Sequence, residues 1–337
     1  MTTETTTAPT RRTAADLFDR LRRAQQRYPL IQVLVFVAAF AYGAVAMDGF
    51  VSWPSIRSML VLAALVGIAA LGQTLVVLLG GFDLSVSGFI VFSALVITQV
   101  VALSGLPFGV GVAIALVGTA VLGGVSGWLC HRFQANPIII TLAMGTLAVG
   151  LVQAQTGGAV TGTAPAWLSS LSAPISTTFG LPIPPVIVIW LVLAIGMWLL
   201  LTRTAAGRRL YATGSNPKAA DLALVRTRRV WIAVFAFSGL AAAFAGIMLT
   251  GFVGSVTTSL GDPYLFQSLA AVIVGGTAFG GPGDYWRTVG GAILLVVLTT
   301  VLTGIGLRGA DQSIVYGVII LLAMLLYGRQ RRLRDQV

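Results

Sequence analysis

Ten apolar stretches follow one another along the 337-residue chain, each close to the length of a membrane crossing. About 20 apolar residues in a helix span the hydrocarbon core of a bilayer. The stretches cover approximately residues 30–47, 57–79, 86–103, 107–130, 137–156, 183–202, 230–250, 264–280, 288–305 and 312–327. Charged residues make up 9% of the chain, whereas a soluble domain carries about 25%. The pattern predicts an all-α polytopic membrane protein with about ten transmembrane helices.

The basic residues predict how this chain is oriented. If the N-terminus is cytoplasmic, only Arg57 and Arg308 of the 21 Lys and Arg residues fall in outer connections, as the positive-inside rule requires. Both termini are therefore predicted to be cytoplasmic. The predicted units are an N-terminal tail (1–29), a transmembrane domain (30–328) with a cytoplasmic loop (203–229), and a basic C-terminal tail (329–337).

Two further features concern the tail and the symmetry of the chain. Residues 13–27 alternate apolar positions with arginines at helical spacing. They predict either a basic amphipathic helix on anionic membrane lipids or a solvated helical tail. The long outer connection 157–182 divides the stretches five and five, so any repeat between the halves would be inverted, as in several transporter folds.

Several classes of function are excluded by what the sequence lacks. Cys130 and His131 are the only Cys and His, so no cluster of ligands is present for a metal. The single lysine, Lys218, follows Pro217, which rules out a phosphate-binding G-x-x-x-x-G-K-[ST] loop. The net charge of +11 lies between apolar stretches and does not indicate nucleic-acid binding. We expect no cofactor in this chain and no catalysis.

The loop 203–229 contains a short helix that we expect to dock on another surface. Asn216 and Pro217 form a helix start, because Asn accepts backbone N–H bonds and Pro fits the first helical position. The residues that follow are small or apolar: Ala219, Ala220, Leu222, Ala223 and Leu224. A free helix this short is marginal in water. It is expected to pack either on this protein's own surface or in a groove of a partner.

Three other segments carry unusual residues between stretches. In Gly80–Gly88 the paired glycines break the helix, and Asp83 and Ser85 either cap the next helix or act in coupling or solute passage. The segment 274–284 holds five glycines and a proline, which predicts a tight turn or an interrupted helix that lines a path. Asn136 and Pro137 open the fifth stretch.

Together these segments resemble the membrane permease of ribose-type bacterial ABC importers, a family that includes sugar, nucleoside and branched-chain amino acid permeases. Gly80–Gly88 is similar to the family's G-G-I-D-L-S-V-G-S, and residues 137–143 are similar to P-F-I-A-T-L-G. The pattern G-R-x-x-Y-A-x-G-x-N-x-x-A-A is matched by Gly207, Arg208, Tyr211, Ala212, Gly214, Asn216, Ala219 and Ala220. The pattern A-A-x-x-x-G-G-T-x-x-G-G-x-G is matched by Ala270, Ala271, Gly275, Gly276, Thr277, Gly280, Gly281 and Gly283.

The sequence departs from the family at two positions of the short helix. Where the family has A-A-R-L-S-G-I, Asp221 replaces the Arg and Leu224 replaces the Gly. These replacements concern the detailed contacts of the helix with a partner.

The resemblance implies a permease subunit without catalytic activity in the bacterial inner membrane. Its implied partners are a cytoplasmic ATPase subunit that binds ATP and Mg, an extracytoplasmic solute-binding protein, and a second permease subunit, identical or different. The residues implied to couple to the ATPase are Gly207, Arg208, Tyr211, Gly214, Asn216, Pro217, Ala219, Ala220, Leu222 and Leu224. The candidates for the translocation path are Gly80, Gly81, Asp83, Ser85, Gly275, Gly276, Thr277, Gln73, Thr141 and Gln267.

The solute is predicted to be neutral, most simply a monosaccharide such as ribose. The acidic residues Asp48, Asp83, Asp262, Asp284 and Asp311 all fall at the ends of stretches. No fixed charge inside the membrane would meet a charged solute, whereas the hydroxyl and amide groups of Gln73, Thr74, Thr141, Gln153, Ser238 and Gln267 suit a polyol. The alternatives are an ABC importer for a nucleoside and a self-contained ion-coupled carrier, which usually keeps a buried acid or His.

Overall fold

The computed structural model describes residues 30–158 and 162–327. The predicted N-terminal amphipathic helix and the tail 329–337 lie outside the described residues. Within the described residues, only two isolated β-bridges, Thr163 to Ser255 and Thr178 to Leu181, accompany the helices, turns and loops. The all-α prediction is confirmed.

The described residues form thirteen helices. They are α1 (Leu30–Ala46), α2 (Trp53–Leu79), α3 (Val86–Ser104), α4 (Phe108–Phe133), α5 (Pro137–Thr156), α6 (Ala166–Ser172), α7 (Pro185–Arg203), α8 (Ala205–Ser215), α9 (Pro217–Leu222), α10 (Thr227–Val253), α11 (Asp262–Val274), α12 (Tyr285–Gly304) and α13 (Ala310–Tyr327). Seven are long and apolar enough to cross a membrane, namely α2, α3, α4, α5, α7, α10 and α12. The shorter apolar helices α1, α11 and α13 coincide with the other three predicted stretches. The chain is polytopic, and the number of crossings stays a prediction.

Proline and glycine set the ends of these helices. Prolines occupy the first turn of α2, α5, α7, α9 and α11, where the missing N–H costs no hydrogen bond. Left-handed glycines at Gly80 and Gly157 end α2 and α5. One predicted boundary is wrong. The stretch 264–280 is helical only to Val274, because two glycines follow and Gly276 takes a φ of 90°.

Helix α2 is the centre of the bundle. Of its apolar window, 89% is buried inside the protein, against 67% for α3 and α10 and 22–28% for α4, α5 and α7. Its residues are apolar on all sides, which is typical of a helix surrounded by protein. The helices α4, α5 and α7 therefore form the periphery.

The two halves of the bundle pack in corresponding ways. In a five-plus-five repeat, α10 in the second half would correspond to α2 in the first half. Helix α2 packs on α11 and α12 of the second half, and α10 packs on α3 and α4 of the first half. Likewise α3 packs on α5, and α11 packs on α13. These pairs agree with the predicted inverted repeat, which itself stays a prediction.

Candidate functional site at the basic end of the bundle

All four motif segments meet at one end of the bundle, where α2, α4, α7 and α11 end and α3, α5, α10 and α12 begin. We call it the basic end, because it carries Arg132, Arg203, Arg208, Arg209, Lys218, Arg226, Arg228, Arg229 and Arg287. The positive-inside rule predicts that this end is cytoplasmic. The sequence indicated each segment separately, and the structure brings them into contact.

The first segment is the turn between α2 and α3. Gly80 adopts a left-handed φ of 89°, and the N–H groups of Gly80 and Gly81 donate to the carbonyls of Val77 and Val76. These bonds satisfy carbonyls that the helix end would otherwise leave unpaired. A Cβ at Gly80 would lie 3.7 Å from the Cα of Gly280. The turn is thus packed closely against the glycine-rich segment.

Asp83 is the buried acid of this turn. Its Oδ1 accepts hydrogen bonds from the backbone N–H and the hydroxyl of Ser85, and its Oδ2 has no hydrogen-bond partner among the described residues. Burial raises the pKa of the carboxyl, whereas the nearby Ser238 hydroxyl and the hydrogen bonds from Ser85 lower it by smaller amounts. The prediction that Ser85 caps α3 with its side chain is wrong, since its hydroxyl turns back to Asp83.

The glycine-rich segment 275–284 is a tight turn between α11 and α12. The N–H of Gly280 donates to the carbonyl of Val77 at 2.9 Å, and the ring of Phe279 packs 4.4 Å from that of Phe82. Asp284 caps α12 by accepting from the N–H of Arg287. Of the two predicted forms, the structure shows the turn, and its contacts join it to the end of α2.

Thr277 and Gly275 hold this turn to the start of α12. A Cβ at Gly275 would lie 2.2 Å from the carbonyl oxygen of Arg287, so only glycine fits there. The Thr277 hydroxyl lies 3.5 Å from the carbonyl oxygen of Asp284. These two motif residues therefore support the turn through contacts within the protein.

Helix α8 lies across the basic end and contacts both turns. The hydroxyl of Tyr211 donates to the carbonyl of Gly283 at 2.6 Å, and burial is the main cause that raises its pKa. At Gly214 a Cβ would lie 2.0 Å from the carbonyl oxygen of Leu78. A glycine is thus required where α8 approaches the end of α2. The side chain of Arg208, in contrast, is exposed.

Helix α9 projects from this base. As predicted, Asn216 caps it by accepting from the N–H of Ala219, and Pro217 begins it. Ala220 is buried against the protein, whereas Leu222 is 87% exposed and Leu224 is 90% exposed. The helix ends at Leu222 and does not include Leu224 as predicted, because Leu224 adopts a left-handed φ of 60°. A leucine therefore occupies a backbone conformation that favours glycine, at a position where the resembling family has glycine.

A polar chain fixes the far side of α9. The Thr227 hydroxyl donates to Asp221 Oδ1 at 2.8 Å and lies 3.0 Å from His131 Nε2. Asp221 stands where the family has an arginine, and here it ties α9 to α10. The sequence did not predict this contact of Asp221 with Thr227 and His131. The single histidine of the sequence was a possible signal for it.

The start of α5 completes the site. Asn136 caps α5 by accepting from the N–H of Ile138. The Thr141 hydroxyl accepts from the N–H of Leu84 at 2.9 Å. Since Gly145 also leaves room for the backbone of Ser85, α5 packs directly on the turn after α2.

The remaining path candidates do not gather into one cluster. Gln267 donates to the Tyr316 hydroxyl on α13, and the Thr74 hydroxyl is paired with Thr288 at 2.9 Å. Gln73 is buried, and neither atom of its amide has a partner among the described residues. Of the amides and hydroxyls predicted to meet a solute, the Gln73 amide and the Ser238 hydroxyl are buried without a hydrogen-bond partner among the described residues.

The fold and this site together define a multi-pass membrane protein with a short exposed helix at one end. Residues 55–325 match the family described as branched-chain amino acid transport system / permease component. The chain is 31% identical over 303 residues to the fructose import permease of Rhizobium meliloti, covering 87% of this chain and 82% of that protein. It is 33% identical over 275 residues to the ribose import permease of Bacillus subtilis, covering 81% and 84%.

A third relative, the ribose import permease of Escherichia coli strain K12, is 30% identical over 307 residues, which cover 90% of this chain and 93% of that protein. No solved structure matched the chain. The chain belongs to this permease family and is a multi-pass protein of the bacterial inner membrane. The family description and the relatives name different solutes, so membership does not determine the solute.

Proposed function

We propose that this chain is the permease subunit of an ATP-driven importer and translocates a neutral monosaccharide. A separate cytoplasmic subunit would bind ATP and Mg, an extracytoplasmic protein would deliver the solute, and a second permease subunit, identical or different, would complete the pathway. The observation that carries the proposal is the geometry of α9, a short helix at the basic end with one exposed leucine, Leu222, as its last residue and another, Leu224, just beyond it.

The exposed leucines suit a partner that binds from outside the membrane. Burying a leucine side chain stabilises an interface by roughly 1.5–3 kcal/mol. Leu224 also adopts a strained backbone conformation, and strain of this kind is found where function requires a fixed orientation. Asn216 and Asp221 hold the helix from its two sides through the hydrogen bonds described above.

A movement of α9 has a short route to the centre of the bundle. Helix α8 immediately precedes α9 in the chain. It contacts the end of α2 at Gly214 and the glycine-rich turn at Tyr211. That turn is itself bonded to Val77 of α2. We propose that a displacement of α9 by the ATPase is passed through α8 to the central helix α2.

The neutral character of the membrane interior supports a sugar as the solute. In the described apolar helices, every charged residue lies within the first or last few residues. The relatives named above import ribose and fructose. A polyol needs hydroxyl and amide partners, and Gln73 offers an unpaired amide on the central helix.

One observation favours a second candidate, a self-contained proton-coupled carrier. Asp83 is a buried acid with a raised pKa and one oxygen without a described partner, which is the kind of group that such carriers use. Its position in a turn bonded to Ser85 suits a structural role equally well. Uptake by the purified chain alone, driven by a proton gradient in liposomes, would establish this candidate.

The proposed coupling can be tested with the complete importer reconstituted in liposomes. In the double variant Leu222→Asp and Leu224→Asp, two carboxylates replace the apolar surface. We expect the ATPase activity stimulated by the loaded binding protein to fall by more than about tenfold. Each lost leucine contact is expected to weaken the affinity for the ATPase subunit by about tenfold. Membrane insertion is expected to be unchanged, since both side chains are exposed.

Two matched variants separate docking from folding. Leu224→Gly removes the side chain and relieves the left-handed strain of about 1–2 kcal/mol, so it is expected to lower coupling without lowering thermal stability. The conservative pair Leu222→Met and Leu224→Met keeps an apolar surface and is expected to keep coupling. Undiminished stimulation in the aspartate variant would overturn the role of α9.

A further inference from the structure

A cleft of about 700 Å³ lies beside the coupling elements at the basic end. Its volume is within the range of small-molecule sites, about 300–1,000 Å³. Its apolar lining is Leu75 of α2, Leu200 of α7, Ala206 and Leu210 of α8, Leu224 after α9, and Val230, Ala233, Val234 and Phe237 of α10, and its charged lining is Arg209, Arg226 and Arg229. Helices α7 and α10 both pack on α2, and the cleft occupies the space between them where α8 crosses.

The cleft is amphipathic along its length. Arg229, Ala233 and Phe237 are spaced by four residues, so they lie on one face of α10, and Arg226 immediately precedes this helix. From Arg229 to Phe237 the helix rises about 12 Å, most of the thickness of one hydrocarbon leaflet, about 15 Å. With the arginines placed at the membrane surface, an apolar wall of this length would reach the depth of acyl chains.

The three arginines of the cleft have no acidic partner. Among the described residues, the ion pair of the structure is Arg287 with Asp284, and no hydrogen bond engages the guanidinium group of Arg209, Arg226 or Arg229. All three side chains are exposed. The nearest acid in sequence, Asp221, accepts a hydrogen bond from Thr227 instead. The cleft therefore presents three free positive charges above an apolar wall.

We propose that this cleft binds one anionic phospholipid of the leaflet at the basic end. Its phosphate would pair with the arginines, and an acyl chain would lie along Val230, Ala233 and Phe237. Basic pockets between membrane helices on the cytoplasmic side bind the head groups of anionic lipids. The planar guanidinium group pairs with phosphate through two parallel hydrogen bonds. The bound lipid would fill the space between α7, α8 and α10, beside the route from α9 to α2.

Two other occupants have weaker charge or shape complementarity. The N-terminal tail 1–29 carries six arginines and three acids, so it would bring a net positive charge to a positive cleft. The ATPase subunit would approach α9 from outside the membrane, whereas the wall of the cleft continues down α10 to Phe237. A phospholipid would complement both parts of the cleft, with its phosphate at the arginines and its acyl chain at the apolar wall.

The proposal can be tested on the full chain, purified in mild detergent and exchanged with mixed vesicles of phosphatidylglycerol and phosphatidylcholine. Native mass spectrometry counts the phospholipid that stays bound. We expect phosphatidylglycerol to be retained at least about tenfold over phosphatidylcholine, given three arginines near the surface. A large excess of inorganic phosphate is not expected to displace it, because phosphate makes no contact with the apolar wall.

Three variants decide the site. Arg209→Gln with Arg226→Gln and Arg229→Gln is expected to lose the preference. The control, Arg132→Gln with Arg203→Gln and Arg228→Gln, removes the same charge from the same end outside the cleft and is expected to keep it. Ala233→Phe keeps every charge, fills the apolar wall and is expected to lose bound lipid.

Each opposite result would overturn the proposal. Equal loss in the two triple variants would show a general attraction to the basic surface. Retention in Ala233→Phe would place the lipid elsewhere, and displacement by inorganic phosphate would show a site for a free anion. Loss of ATPase binding in the cleft variant, with lipid retention unchanged, would assign the arginines to the ATPase.

Discussion

At the scale of the residue, Asp83 shows how a turn can hold a carboxyl group out of water. The side chain is 1% exposed, and Ser85 supplies both hydrogen bonds to one of its oxygens. A buried carboxylate with an unpaired oxygen is costly. Burial therefore favours the protonated form in the folded protein and raises the pKa above its ordinary value of 3.8.

This pKa predicts how stability depends on pH. The folded protein holds the Asp83 proton more tightly than the unfolded chain does, so its contribution to stability is present at low pH. That contribution decreases as the pH rises from 3.8 through the folded-state pKa. In Asp83→Asn, which keeps an acceptor for Ser85 and cannot ionise, thermal unfolding in detergent is expected to depend less on pH over this window.

The companion variant Asp83→Ala removes the acceptor. It is expected to cost about 1–3 kcal/mol at low pH, the usual effect of leaving buried donors unpaired, and less as the pH rises through the folded-state pKa. Identical pH profiles for Asp83→Asn and the unmodified protein would show that Asp83 does not change its ionisation on folding.

At the scale of the element, α4 and α10 pack through backbone contact. A Cβ at Gly123 would lie 2.2 Å from the carbonyl oxygen of Phe235, and one at Gly127 would lie 2.5 Å from that of Trp231. The two glycines are four residues apart on one face of α4, the spacing that brings membrane helices close together. Side chains at these positions would separate the helices.

The glycine pair gives a matched test of this packing. In Gly127→Ala the added methyl meets backbone, and we expect a loss of about 1–3 kcal/mol from overpacking. In Gly124→Ala the Cβ lies 3.5 Å from the Ala236 Cβ, an ordinary contact, and stability is expected to change by less than about 0.5 kcal/mol. The buried thiol of Cys130 on the same helix reports unfolding through a thiol-reactive dye. Equal effects in the two variants would contradict the packing described.

The sequence predicted the helices better than their contacts. Local signals decided the ends of α2, α5 and α9, since Gly80, Pro137 and Asn216 act through their own backbone geometry. The apolar stretch predicted to end at 280 is helical only to Val274, where the glycine-rich segment begins, since Gly276 takes a φ of 90°.

The meeting of the four motif segments and the cleft of three arginines could not be predicted either. Both depend on packing between residues far apart in the chain, and no local pattern encodes it. The resemblance indicated that the segments act together, without showing their contacts. The left-handed conformation of Leu224 could not be predicted for a different reason. Leucine rarely adopts this conformation, so its presence in the sequence does not indicate it.

At the scale of the whole molecule, the central helix α2 ends next to α8, and the exposed helix α9 follows α8 in the chain. Helix α2 is buried through most of its length, and its basic end contacts α8 and the glycine-rich turn. The opposite end carries the connection 162–184, where Arg57 donates to the carbonyl of Ser176. The two ends thus differ, with α9 exposed at one and this connection at the other.

The central claim is that a cytoplasmic ATPase grips α9, and labelling with a membrane-impermeant maleimide tests it most directly. In a Cys130→Ser background, Lys218→Cys places a thiol on α9, and Phe179→Cys places one at the opposite end, where the side chain is 99% exposed. We predict that the thiol at 218 is labelled only in inverted vesicles and becomes protected when the ATPase is bound, whereas that at 179 is labelled only in right-side-out vesicles. Labelling of 218 from the outside, or no protection by the ATPase, would contradict the account.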